Sequence, residues 1–231
     1  MQAFLDHIDW HSPQLATYWF KPSGYFRFVP GEFTELYVPH DKPDERGESR
    51  EFTITSIPAE PLIGITTTFP AKDHRMSTFK RALKELPVGG RVQLAETKGD
   101  FVAPRDNSIP LLFVAGGVGI TPVLSIISHL KDTDDKRTVT VLHSVSNTET
   151  LRGKELFETY GAVYLPTLTQ PHKAWSGQTG RMSSTDILNH VIPQTLVYIS
   201  GPDSMVIALK QELINQDIDA AQIVTDAFTG Y

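Results

Sequence analysis

The chain has 231 residues, 40% of them hydrophobic and 21% charged, with a net charge of −6 and no cysteine. That length allows one large globular domain or two small ones, each with its own core. The acidic balance argues against non-specific nucleic-acid binding, which needs clustered Lys and Arg, and the missing thiols exclude disulfides, thiolate nucleophiles and a cysteine-held iron–sulfur cluster within this chain.

No apolar run approaches the ~20 residues of a bilayer-spanning helix, so no membrane insertion is expected. Met1–Trp10 contains Asp6 and Asp9 and has no basic run ahead of an apolar stretch, so it does not read as a secretory signal. Cytoplasm is the expected location. His7 and His11 flank Asp9 without a third ligand nearby, and no metal is expected there.

After an extended lead-in at residues 1–10, the segments 16–22, 24–31, 33–39, 51–58, 62–69 and 91–96 are rich in β-branched and aromatic residues. Pro30-Gly31, Pro39 and Pro58 punctuate them, which predicts six short antiparallel strands. The charged stretch HDKPDERGESR (40–50) reads as a solvated hairpin connection. One helix is expected within this half, capped by Ser77, with Phe79, Ala82, Leu83 and Leu86 on one face. The predicted architecture is a small closed β-barrel of six strands and one helix.

The polar, proline-broken segment APRDNSIP (103–110) marks a domain boundary, dividing the chain into residues 1–105 and 106–231. Beyond it strands and helices alternate. Strands are expected at 111–115, 138–145, 163–168, 196–200 and 222–228, with helices at 122–131, 153–160, 184–190 and 203–216. This is the pattern of a mostly parallel, doubly wound, Rossmann-like sheet.

The segment LLFVAGGVGITPVLSII (111–127) is an apolar strand, a glycine turn and the start of a helix. Gly116, Gly117 and Gly119 let backbone amides approach an anion. Thr121 suits an N-cap, and Pro122 suits the first helical turn, where its missing N–H costs nothing. Such a helix start can hold a pyrophosphate, although a glycine turn also occurs in any α/β protein. LVYISGPDSMV (196–206) is a second strand ending at a Gly-Pro turn, and paired strand ends of this kind frame nucleotide crevices. The plain alternative for it is a βα turn capped by Asp203.

Together these segments resemble, in order and over essentially the whole chain, the ferredoxin–NADP⁺ reductase superfamily. PGEF (30–33) is similar to the family's mid-barrel turn. REFT (50–53) is similar to its flavin motif Arg-x-Tyr-Ser, with Phe52 and Thr53 in the last two places. MSTF (76–79) resembles the segment that caps the flavin phosphates, and GDF (99–101) the barrel exit. AGGVGITP (115–122) resembles the nucleotide loop, where a proline is usual. SGPDSM (200–205) is similar to a Cys-Gly-Pro segment near the nicotinamide, and DAF followed by TGY resembles the acidic-x-aromatic ending.

The resemblance implies a flavin-binding barrel followed by an NAD(P)-binding domain. It implies FAD rather than FMN as the flavin, and hydride transfer from NADH or NADPH. Arg50, Met76, Ser77, Thr78 and Phe79 would hold the flavin phosphates, and Phe52, Thr53, Ile54, Thr55 and Ser56 would line the flavin ring. Phe69 would stack on adenine. Gly116, Gly117, Val118, Gly119, Thr121, Pro122, Gly201 and Pro202 would hold the nucleotide. Thr53, Ser200, Asp226 and Phe228 would stand at the reacting rings, with Phe228 or Tyr231 covering the flavin. Plain alternatives remain: a solvated Arg50, a simple Ser77 cap, core positions for Phe69 and Phe228, and a surface Asp226.

Members that use NADPH often carry a Ser-Arg pair after the third strand. Here Thr169-Gln170 stands at that position, which favours NADH, although Arg152, Lys154, Lys173 and Arg181 form a basic group in the same region of the sequence. The expected activity is an NAD(P)H-dependent flavoprotein reductase passing electrons to an acceptor outside the chain. That acceptor would be a ferredoxin, a flavodoxin, an oxygenase component or a small oxidant. The rivals are a reductase that takes flavin as a substrate, and a non-catalytic electron-transfer or regulatory subunit, since the family's Tyr, Ser, Cys and Glu are replaced.

Overall fold

A computed structural model describes residues 1–71 and 76–228. The chain divides into two compact units, Met1–Val102 and Ala103–Tyr231.

The first unit contains β1 (Gln2–Ser12), β2 (Leu15–Pro22), β3 (Phe33–Tyr37), β4 (Ser49–Thr53), β5 (Ile63–Thr68), α1 (Thr78–Glu85) and β6 (Arg91–Leu94). The strands form one antiparallel sheet in the order β4-β3-β6-β1-β2-β5. Its two outer strands meet just past β4. Ile54 bridges to Ile65, and the Thr55 N–H donates to the Gly64 carbonyl at 2.8 Å. That contact closes the sheet into a barrel and removes the free strand edges that invite aggregation. Leu5, Tyr18, Phe20, Leu36, Ile54 and Ile65 fill the interior together with Phe79 and Leu83 from α1. Ser77 caps that helix by accepting from the Lys80 N–H at 3.2 Å.

The strand count is as expected, but one strand is not. Residues 24–31 form a loop, with Tyr25 82% exposed. Aromatic richness there reflects Phe26 and Phe28 tucking into the core from a loop. The sixth strand is β1, which read as a mere lead-in. It turns Ala3 and Leu5 inward, but the polar Asp6, His7, Asp9 and His11 obscure its alternation. The strand expected at 51–58 ends at Thr53, because the chain then turns. The Ser56 hydroxyl holds that turn by accepting from the Gly64 N–H at 3.0 Å.

The second unit contains β7 (Leu111–Gly116), α2 (Ile120–Asp132), β8 (Val139–Val145), α3 (Lys154–Tyr160) and β9 (Val163–Leu168). They are followed by β10 (Gln178–Thr179), α4 (Ser184–Leu188), β11 (Leu196–Pro202), α5 (Asp203–Ile214) and β12 (Ile223–Phe228). Every pairing is parallel, in the order β10-β9-β8-β7-β11-β12. Leu112, Val114, Leu142, Val197 and Ile199 pack one sheet face against Ile187 of α4 and Val206, Leu209 and Leu213 of α5. The other face carries Phe113 against Tyr198, and Tyr164 against Phe157 of α3. All six residues of β7 are buried, as a central strand covered on both faces requires. The two-residue β10 was not expected.

Among the described residues no helix is long and apolar enough to cross a membrane, and no three His, Asp or Glu side chains gather as a metal site.

Candidate functional site

The sheet order of the second unit makes β7 and β11 neighbours whose connections diverge, β7 leading to α2 and β11 to α5. Ligands of open α/β sheets bind at such switch points, beyond the carboxyl ends of the strands. Here the backbone is packed against itself. A Cβ on Gly119 would lie 2.4 Å from the Ser200 carbonyl oxygen and 2.7 Å from the Gly201 Cα. A Cβ on Gly201, whose φ is +141°, would meet the Gly116 carbonyl oxygen at 2.8 Å. The Ser200 hydroxyl locks the contact by donating to the Gly119 carbonyl at 2.6 Å.

Gly117 is different. It adopts φ +55°, and nothing lies within 4 Å of where its Cβ would stand. The turn is therefore closed on its β11 side and open at Gly117. A short 3₁₀ turn, Gly117–Gly119, then leads into α2. The helix continues directly from this turn, the Ile120 N–H donating to the Gly117 and Val118 carbonyls, so the positive dipole end lies at the turn itself. Thr121 does not cap this helix. The helix starts one residue before it, and the Thr121 hydroxyl donates back to the Val118 carbonyl at 3.0 Å. Pro122 stands in the first turn, as expected.

His143, on β8 opposite Ala115, is not among the residues expected at the site. It is fully buried, and its Nε2 lies 3.0 Å from the Gly117 carbonyl oxygen. A carbonyl only accepts, so Nε2 carries the proton and Nδ1 accepts from the Tyr164 hydroxyl at 3.1 Å. Burial pushes the imidazole pKa down to about 4, although the bond to Gly117 favours the charged form. His143 is a neutral brace under the glycine turn. A histidine inside a β-branched, largely buried strand was the available signal.

In the first unit, β4 and the start of α1 put Arg50 and Thr78 within reach of one loop, while the Ser77 hydroxyl is the cap of its own helix. The Arg50 guanidinium lies over the Phe79 ring, 5.2 Å from its centroid, and Phe52 stacks on Phe79 at 5.8 Å. Arg50 Nη2 donates to both carboxylate oxygens of Asp44 at 2.7 and 2.9 Å, and Nη1 to the carbonyls of Arg46, Gly47 and Ser49. The Thr78 hydroxyl accepts from the Asp44 N–H at 3.0 Å. Lys80 is half-buried nearby, its Nζ donating to the Thr68 carbonyl. Burial and the charges of Arg46 and Arg50 push its pKa down to about 8. The group is a cationic, hydroxyl-bearing cradle with an aromatic floor, and the 40–50 loop is folded onto it.

Other expected residues fall into two groups. Thr53, Ile54, Thr55 and Ser56 follow one another where the barrel closes. The backbone N–H groups of Ile54 and Thr55 are committed to the Glu32 and Gly64 carbonyls. The Thr55 hydroxyl is buried without a hydrogen-bond partner. Met76 and Phe79 belong to the barrel core. Phe69 does as well. It is 3% exposed and packed against Trp10 and Tyr18, so its ring is not free to stack on an adenine. Ser200 is fully buried. Asp226 pairs with Ser200, and Phe228 with Pro202, across β11 and β12. Tyr231 lies outside the described residues.

A family model described as "Oxidoreductase NAD-binding domain" matches residues 113–211, the stretch from β7 into α5. Over its whole length the chain superposes on a ferredoxin NADP⁺ reductase from Neisseria gonorrhoeae with bound FAD and NADP. The TM-score is 0.82 at 19% identity, covering 98% of each chain. By fold this is a ferredoxin–NADP⁺ reductase-like chain. Flavohemoprotein A of Dictyostelium discoideum is 27% identical over 216 residues, 88% of this chain. The reductase component of propane 2-monooxygenase from Rhodococcus jostii (strain RHA1) is 25% identical over 223 residues, 90% of this chain. The chain spans only 54% and 57% of the lengths of these two relatives.

Proposed function

We propose that the chain is a flavin-dependent NAD(P)H oxidoreductase that passes electrons from a nicotinamide nucleotide, through FAD, to an acceptor outside the chain. The observation that carries the reading is Gly117. It is a left-handed glycine with open space where a side chain would be, set at the start of a long helix and within the stretch matched by the NAD-binding family. That is the shape a dinucleotide pyrophosphate needs.

The first unit suits a flavin. Arg50 and Thr78 bring a guanidinium and a hydroxyl to the same residue of the 40–47 loop, groups of the kind that hold a phosphate. Phe52 is a half-buried aromatic beside it, and the buried Thr55 hydroxyl lacks a partner. A bound ring with a polar edge would supply one. When both cofactors are bound, the nicotinamide supplies a hydride and the flavin accepts it. The chain's own residues bind and orient. The Gly117 turn and the α2 amides hold the nucleotide phosphates, Arg50 and Thr78 hold the flavin phosphates, and His143 fixes the Gly117 carbonyl without carrying charge. Thr53, Ser200, Asp226 and Phe228 remain proposals for the surroundings of the reacting rings. Ser200 would act there by fixing the backbone, since its hydroxyl is committed to Gly119.

NADH is the proposed donor, on the Thr169-Gln170 pair in place of Ser-Arg. The external acceptor is proposed to be an oxygenase component or a ferredoxin-like protein, in keeping with the propane monooxygenase reductase component among the relatives. The proposed setting is cytoplasmic. Anaerobic reduction of the FAD-loaded protein is expected to be faster with NADH than with NADPH, and equal or faster reduction by NADPH would overturn the donor assignment. Arg50→Ala is expected to weaken FAD binding by at least about tenfold, since hydrogen bonds to charged groups contribute roughly 1.5–3 kcal/mol each, while the reduction rate per bound flavin changes less. Unchanged FAD affinity in equilibrium titration would remove Arg50 from the site.

A further inference from the structure

The geometry points to Asp44 as an internal phosphate substitute that sets flavin affinity: its carboxylate holds Arg50 and its backbone N–H holds Thr78, so flavin phosphate and the 40–47 loop compete for one cradle. The inference rests on the flavin reading of the first unit.

Both terminal nitrogens of the Arg50 guanidinium are engaged. Nη2 sits 2.7 and 2.9 Å from the two Asp44 oxygens, and Nη1 is shared among three carbonyls. An arriving phosphate competes with the Asp44 carboxylate for Nη2. Thr78, on the opposite wall, is held by the same residue through the Asp44 N–H at 3.0 Å, and His40 Nε2 lies 3.3 Å from its hydroxyl. One residue therefore clasps both walls.

The pair is also shielded, with the Arg50 and Asp44 side chains 15% and 27% exposed, so it is screened less than an ion pair at the open surface. Asp44 is further tied by the Arg46 N–H at 3.0 Å. The charged groups acting on Asp44 are the guanidinium groups of Arg50 and Arg46, which hold its carboxyl below the usual range. Withdrawal of Asp44 leaves the Arg46 and Arg50 guanidinium groups without their carboxylate, which favours replacement by a phosphate over an empty cradle.

The consequence is quantitative. A cradle occupied by its own loop binds an external ligand more weakly by the fraction of time it stands open. A loop closed roughly 90–99% of the time lowers apparent affinity about ten- to a hundredfold. Asp44 then decides whether flavin is a resident group or one that exchanges in solution.

The test is equilibrium titration of the full chain with FAD, FMN and riboflavin, on wild type, Asp44→Asn and Asp44→Ala. Riboflavin has the same ring without a phosphate. Removing the carboxylate is expected to tighten FAD and FMN at least tenfold and to leave riboflavin within about twofold. Tightening of all three flavins alike would overturn the proposal, because a loosened loop and not phosphate competition would then be the cause. Unchanged or weakened FAD and FMN binding in both variants, with wild type binding flavin, would also overturn it while leaving the flavin reading intact. No flavin binding by any of the three proteins, each verified as folded by circular dichroism, would overturn the flavin reading itself.

Discussion

Gly119→Ala is expected to disrupt the α/β half, with a loss on the order of 3 kcal/mol or more in urea denaturation. The added methyl would stand 2.4 Å from the Ser200 carbonyl oxygen, 2.6 Å from its carbonyl carbon and 2.7 Å from the Gly201 Cα. All three are backbone atoms of β11, and none can swing away as a side-chain end could. Relief requires prising the glycine turn off the strand, which breaks the 2.6 Å Ser200–Gly119 hydrogen bond as well. Gly117→Ala, two residues earlier, separates stability from binding. Its methyl meets nothing within 4 Å, so the cost is the left-handed backbone alone, about 1–2 kcal/mol. The methyl would nevertheless stand where the nucleotide phosphates are proposed to lie. Gly117→Ala is therefore expected to stay folded and to bind NADH much more weakly. Equal stability of Gly119→Ala and wild type would show that the two strand ends are not in contact.

Acid is expected to destabilise the protein through His143. Its pKa falls from 6.5 to about 4 because burial disfavours the imidazolium. The unfolded chain therefore binds more protons than the folded one between those values, and stability rises with pH across that window. This contribution is complete above about pH 6.5 and is lost as pH falls through about 4, amounting to roughly 3 kcal/mol in full. His143→Gln keeps an amide donor for the Gly117 carbonyl and cannot titrate. It is expected to be less stable than wild type at pH 7, where the imidazole packs better, and to show a flatter profile between pH 7 and 4. Urea midpoints measured across that range decide the matter. Parallel profiles for the two proteins would mean that His143 is not the group that titrates.

The α/β half was legible because its signals are local. Uninterrupted apolar strands such as 111–116 and alternating helical segments state their own type, and the glycines of the β7 turn state their need for close approach. The barrel was half legible. β1 escaped because a barrel strand shows only every second residue to the core, and Asp6, His7, Asp9 and His11 break up its alternation. The loop 24–31 misled for the opposite reason, since three aromatics within four residues imitate a strand while only Phe26 and Phe28 turn inward. The proposed site residues were legible as motifs but their partners were not. The REFT segment located Arg50, yet nothing local says that Asp44 would hold it, because that pairing depends on how the 40–47 loop folds back. Thr121 and Ser200 were chosen for hydroxyls that can face a ligand, and both hydroxyls instead donate to the carbonyls of the turn beside them. His143 could not be found without its opposite strand, since its partner Gly117 is 26 residues away.

The central claim is that this chain alone carries electrons from a nicotinamide nucleotide to a flavin. The most direct measurement is anaerobic titration of the purified chain, supplied with FAD, against NADH while the visible flavin absorbance is followed. Bleaching in proportion to the NADH added, until all bound flavin is reduced, is the predicted result. Bound flavin whose absorbance is unchanged by excess NADH and by excess NADPH would contradict the claim.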